Sequence, residues 1–104
     1  MRAPNVASYP KYIAVGPAEI RYKIVFVTGK KWLGMCSLKK RTIWLNKKQP
    51  RTHLFMTFLH ELIHAIEFES GRKIKHKIVY ELEEGLYNFF INNVSSFSFG
   101  KARE

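Results

Sequence analysis

Between Pro50 and Gly71 the chain carries one uninterrupted helical pattern. Leu54, Phe55, Phe58, Leu59, Leu62, Ile63 and Ile66 recur at intervals of one and three residues, a wide apolar stripe that other elements must cover. Pro50 suits the first turn of a helix, and Gly71 suits the left-handed residue that closes one near Ser70. Set into this pattern is His60-Glu61-Leu62-Ile63-His64. Residues four apart share a helix face, so His60 and His64 can aim both imidazoles at a single ion. Glu61 follows the first histidine directly, a position from which a carboxylate reaches water at the metal without ligating it. The neighbours Phe58, Leu59, Leu62, Ile63, Ala65 and Ile66 are all uncharged, unlike those of a solvated helix.

The remaining segments predict a small α+β domain over residues 1–104. Residues 1–10, with two prolines and several small side chains, read as a poorly ordered arm. Alternating apolar residues either side of Gly16-Pro17, from Tyr12 to Val27, predict a β-hairpin. Gly29-Lys30-Lys31 punctuates the next connection, Gly34 suits a tight bend before Cys36, and residues 41–46 predict another short strand. A basic loop, Arg72 to Lys75, leads to a second helix ending near Asn93, with Ile74, Ile78, Leu82, Leu86, Phe89 and Phe90 as its apolar face. So short a loop implies antiparallel helices, packed on a short antiparallel sheet of about three strands. The tail over 95–104 is polar and reads as poorly ordered.

Eighteen Lys and Arg against eight Asp and Glu give a formal charge of +10, which favours nucleic acid or an acidic partner. Trp32 and Trp44, each near lysines, are candidates for an aromatic and basic surface. Cys36 is the sole cysteine, so no intrachain disulfide forms; it reads as a small buried apolar residue. With no signal-like apolar segment near Met1 and no membrane-length stretch, a cytoplasmic location is expected.

A hydrolytic zinc site needs three protein ligands and one open position. His60 and His64 supply two, and the third must come from the second helix, where His76, Glu81, Glu83 and Glu84 are the candidates. At about 100° per residue, His76, Val79, Tyr80 and Glu83 share one flank, Glu81 lies on the opposite flank and Glu84 points away. His76 is preferred over Glu83, the choice resting on how far the loop after Gly71 extends; the residue left over is expected to hold a ligating imidazole from behind. Glu67 is a candidate for orienting His64, Tyr80 for stabilising an oxyanion, and His53 for touching substrate.

The stretch from Gly34 to Asn93 resembles a known group. Ile43-Trp44-Leu45 before the helix, the His60 to His64 motif, and His76-Lys77-Ile78-Val79 followed by Leu82 and Gly85-Leu86 are similar to the minimal zincins of the SprT-like metallopeptidase type found in phages and mobile elements. The resemblance implies bound Zn2+, a strand bordering the active-site cleft, and intracellular metallopeptidase activity on a peptide or protein. Longer SprT and Spartan proteins continue past the catalytic helices, often into DNA-binding elements that 104 residues do not accommodate.

The expected reaction is peptide-bond hydrolysis by a zinc-activated water, with Glu61 as general base, His60, His64 and His76 as ligands, and the strand at Thr42 to Leu45 aligning an extended substrate by edge pairing. The competing expectation is a basic nucleic-acid- or protein-binding module with a structural or vestigial zinc site.

Overall fold

The computed structural model describes residues 3–93. A 3-10 turn at Val6–Ser8 is followed by strands β1 (Tyr12–Val15), β2 (Ile20–Val27), β3 (Gly34–Ser37) and β4 (Thr42–Asn46), then helices α1 (Arg51–Ser70) and α2 (His76–Asn93). The expected α+β class is present, with two helices and a four-stranded sheet in the order β1-β2-β4-β3.

The hairpin around Gly16-Pro17 forms as its alternation predicts. Tyr12 faces Lys23 and Val15 faces Ile20, while Gly16 takes φ 81 in the turn, a conformation that glycine adopts without steric cost. Two of the three strand pairings are antiparallel; the central one, β2 with β4, is parallel, with Ile24 opposite Ile43. The chain leaves β2, runs through the 28–33 loop, descends as β3 and returns as β4 between β3 and β2. This corrects one expectation: β4 is interior, and the strand bordering the cleft is β3.

Helix α1 lies between the sheet and α2, which explains why its apolar residues run so far around it. On the sheet side, Leu54 and Ala65 join Val15, Tyr22, Ile24, Ile43 and Leu45 in the main core. On the other side, Phe55 and Leu59 meet Leu86, Tyr87, Phe90 and Ile91 of α2. Each fully buried Leu, Ile, Val or Phe among them contributes about 1.5–3 kcal/mol. The helix closes as expected, with Gly71 left-handed at φ 71 and its N–H donating to the Phe68 carbonyl. Its last turn is fastened to the sheet by Glu69, which accepts from the Tyr22 hydroxyl at 2.7 Å and from Arg41 Nε at 3.0 Å. Arg41 first, then Tyr22, holds the Glu69 carboxyl below the usual carboxylate range.

Helices α1 and α2 are antiparallel, since His60 meets Glu83 while Phe55 meets Tyr87 and Phe90. The expected apolar face of α2 is rotated, however. Ile78, Leu82 and Phe89 are 40%, 43% and 42% exposed, and Val79 is the buried residue of the helix. The flank carrying His76, Val79 and Glu83 turns toward α1 instead, because the imidazoles of α1 and the Phe55 cluster offer it partners.

The N-terminal segment departs from the loose arm expected over residues 1–10. Ala3 is buried beside Phe55, its carbonyl accepts from Arg51 Nε, and the Tyr9 ring stands edge-on to Phe26 and Phe58. The aromatic contacts of Tyr9 outweigh the low apolar content around it. The tail expectation for 95–104 lies outside the described residues. No helix among them is long and apolar enough to cross a membrane.

Candidate metal centre

Helix α1 presents His60 and His64 one turn apart toward α2, and α2 begins with His76 immediately after the 72–75 loop. The ring centroids of His60 and His64 are 4.8 Å apart, those of His60 and His76 5.2 Å, and those of His64 and His76 5.5 Å. One nitrogen from each of these three rings falls within 4.8 Å of the others. The cluster therefore includes His76, and Glu83 takes the supporting position: His60 Nδ1 donates to Glu83 Oε1 at 2.8 Å. Glu81 and Glu84 are exposed elsewhere on α2, and His53 is exposed near the start of α1.

The second histidine is held in the same way. His64 Nδ1 donates to Glu67 Oε1 at 2.9 Å, and the other Glu67 oxygen accepts the backbone N–H of Ile74. The Ile74 bond first, then His64, keeps the Glu67 carboxyl below its ordinary range. A carboxylate only accepts, so each Nδ1 carries a hydrogen, and in the neutral imidazole Nε2 is then the nitrogen with the lone pair. The Nε2 atoms of His60 and His64 nevertheless stand 3.2 Å apart. Two lone pairs at that separation repel unless a proton or a metal ion is shared between them. Zinc–nitrogen bonds of about 2.0–2.1 Å in a tetrahedron put neighbouring nitrogens about 3.3 Å apart, so the pair has the spacing of two zinc ligands. A borderline cation suits an all-imidazole donor set.

Glu61 lies against β3, beside Gly34. It is 8% exposed, and burial, reinforced by the Glu83 charge and opposed by His64, pushes its carboxyl up to about 7. What admits it is Gly34: a Cβ there would stand 2.6 Å from Thr57 Cγ2, 3.1 Å from Glu61 Cγ and 3.3 Å from a Glu61 carboxylate oxygen. Gly34 is therefore a point of close approach between β3 and α1, where the sequence suggested a bend. Thr57 cannot rotate aside freely, because its hydroxyl donates to Gln49 Oε1 at 2.9 Å and Gln49 in turn donates to the carbonyls of Leu33 and Asn46. Gly34→Ala is expected to destabilise the fold by about 1–3 kcal/mol, as overpacked sites do. Adding Thr57→Ser, which removes the crowded methyl, should recover most of the loss in urea unfolding.

Two clefts flank this carboxylate, and Glu61 lines both. The larger, about 620 Å³, has Cys36, Phe68 and Ile74 in its wall with Lys73 and Lys75 beside them. The smaller, about 260 Å³, is bounded by Leu33, Gly34, Thr57, Tyr80 and Glu83. Strand β3 contributes Cys36 to the larger and Gly34 to the smaller, and it pairs with β4 on one side only, leaving its other backbone edge unpaired within the sheet. Tyr80 packs its ring 5.0 Å from His60 and 5.1 Å from His76. Cys36, read from sequence as buried, is half-buried in the cleft wall, and burial followed by the nearby Glu61 and Glu69 charges pushes its thiol up to about 12. Gly34 and Thr57 were not anticipated at the site. The one sequence signal for them was a glycine entering a strand, which often marks close approach of another backbone or side chain.

Comparison with known proteins returns no match for this chain, whether among protein-family models, curated sequences or solved structures.

Proposed function

We propose that this protein is a zinc-dependent metallopeptidase acting inside the cell, as the sequence resemblance to SprT-like minimal zincins implies. The observation that carries the reading is the convergence of His60, His64 and His76, two of their Nε2 atoms 3.2 Å apart, next to a buried glutamate outside that cluster. His60, His64 and His76 would hold the ion, and no fourth His, Cys, Asp or Glu joins that cluster among the described residues, a donor set of the size that hydrolytic sites use and closed structural sites exceed. The chemistry that zinc supplies when bound is acidification of a water molecule, to a pKa of about 7, and polarisation of a carbonyl.

The chain's own residues do the rest. An extended peptide adds to the free edge of β3, its main chain paired with that strand and its side chains directed into the clefts on either side of Glu61. The larger cleft, with Phe68 and Ile74 in its wall, accommodates a bulky apolar side chain. Glu61 takes the proton of the attacking water and delivers it to the leaving amine. Glu83 and Glu67 hold the two α1 imidazoles in the tautomer that leaves Nε2 free. A structural zinc site would give the burial of Glu61 no purpose.

The test is incubation of the zinc-loaded protein with an unfolded protein such as casein, with fragments identified by mass spectrometry. Internal cuts that vanish on chelation and return with zinc are expected. A protein that carries stoichiometric zinc but yields no fragments, across several unfolded substrates, would remove the peptidase reading.

A further inference from the structure

Charge is divided between the two halves of this fold. Residues 3–50, which contain the sheet, hold ten Lys and Arg and a single acid, Glu19; residues 51–93, the two helices, hold five basic and six acidic residues. The sheet is covered by α1 on one face, where Tyr22, Ile24, Ile43 and Leu45 are buried. Side chains of the intervening positions point the other way; Thr42 and Asn46 among them are buried, Asn46 against the carbonyls of Lys30 and Trp32, while the positions nearer β1 stand open. That face presents Tyr12, Arg21 and Lys23 on β1 and β2, and Trp44 between Val25 and Met35 in the register. Tyr12 is 46% and Met35 43% exposed, and Trp44 is half-buried. Ammonium groups sit by both aromatic rings, Lys40 at 5.9 Å from the Trp44 centroid and Lys11 at 6.0 Å from that of Tyr12.

We infer that this uncovered sheet face binds single-stranded nucleic acid, independently of the metal centre on the helical side. A flat sheet with aromatic rings set among cations gives bases a surface on which to stack and phosphates a partner close by. Tyr12 and Trp44 are two strands and two residues apart, roughly 12 Å, so each takes a different base. A merely solvated basic face would not need its cations grouped about rings, nor so complete a segregation from acids. The same rings disfavour duplex, whose bases are already stacked. An acidic protein would satisfy the lysines and arginines while leaving the rings without a role.

Fluorescence anisotropy with a labelled oligothymidylate of roughly 15 nucleotides tests this, its affinity expected to fall with salt at a log–log slope near −3, about −0.7 for each of some four phosphate contacts. Trp44→Leu and Tyr12→Ala should each weaken binding roughly 5- to 100-fold, the range found for lost base stacking. Lys23→Glu should lower affinity and flatten the salt slope. Tyr12 lies exposed on an edge strand, so its variant tests the face even where Trp44→Leu unfolds. Poly-glutamate or a duplex of equal length should bind more weakly. No binding at low salt, equal binding of poly-glutamate or duplex, or full affinity in the Tyr12 variant would overturn the inference.

Discussion

Glu61→Gln is expected to leave the protein folded and zinc-loaded while lowering peptide cleavage about 100- to 10,000-fold, the usual contribution of a positioned general base. The amide keeps the shape that fits against Gly34 and Thr57 but cannot accept a proton from water and return it to the amine. Zinc content should be unchanged, because the convergent nitrogens belong to His60, His64 and His76. The same substitution carries an opposite expectation for stability. Burial raises the folded-state value of this carboxyl to about 7, above its unfolded value. The fold therefore binds the proton more tightly than the unfolded chain does, and Glu61 costs nothing at low pH but progressively more as pH rises from the ordinary carboxylate range to 7. In metal-free protein Glu61→Gln should thus add about 2–3 kcal/mol at pH 8 and almost nothing at pH 4, read from urea unfolding at the two pH values. A variant that lost zinc along with activity, or that gained stability equally at both pH values, would contradict the assigned position of the carboxylate.

His76→Ala is expected to abolish stoichiometric zinc binding, whereas Glu83→Ala should weaken it only about 10- to 100-fold, as loss of a carboxylate behind a ligating imidazole does. The distinction follows from geometry: the His76 ring stands 5.2 Å from His60 and 5.5 Å from His64, while Glu83 is engaged by the remote nitrogen of His60. Metal analysis of the purified variants, with His60→Ala as the reference for a lost ligand, reads the difference. Zinc retained by His76→Ala and lost by Glu83→Ala would exchange their roles.

What could be read in the sequence was what local residues encode. Pro50 and Gly71 bracket α1 within a residue, since a fixed φ and a left-handed φ act on the chain where they stand. The hairpin announced itself through alternation and a Gly-Pro turn. The histidine pair and Glu61 needed only helical spacing, and the loop from Arg72 to Lys75 was short enough to make the helices antiparallel. Strand β3 was not legible, because Gly34-Met35-Cys36-Ser37 has neither alternation nor β-branched residues. The parallel pairing of β2 with β4 depends on which edge a distant segment chooses, and no local pattern records that. The rotation of α2 was misread because Ile78, Leu82 and Phe89 outrank His76 and Glu83 in hydrophobicity. The orientation is decided by partners on α1, through the His60–Glu83 bond and the aromatic contacts of Phe55. Grouping His76, Val79, Tyr80 and Glu83 on one flank was sound; that the flank faces inward could be learned only from the fold.

With Val79 the sole fully buried residue of α2, the second helix is riveted at its far end by Phe55, Tyr87 and Phe90 and at its near end by whatever joins His76 to α1. A divalent cation there would act as a clasp as well as a reagent, and free zinc at a hundred times its dissociation constant would add about 2.7 kcal/mol to the folded state. Metal scarcity would then loosen the wall of the cleft before it disturbed the sheet, leaving the metal-free protein open to degradation from its second helix.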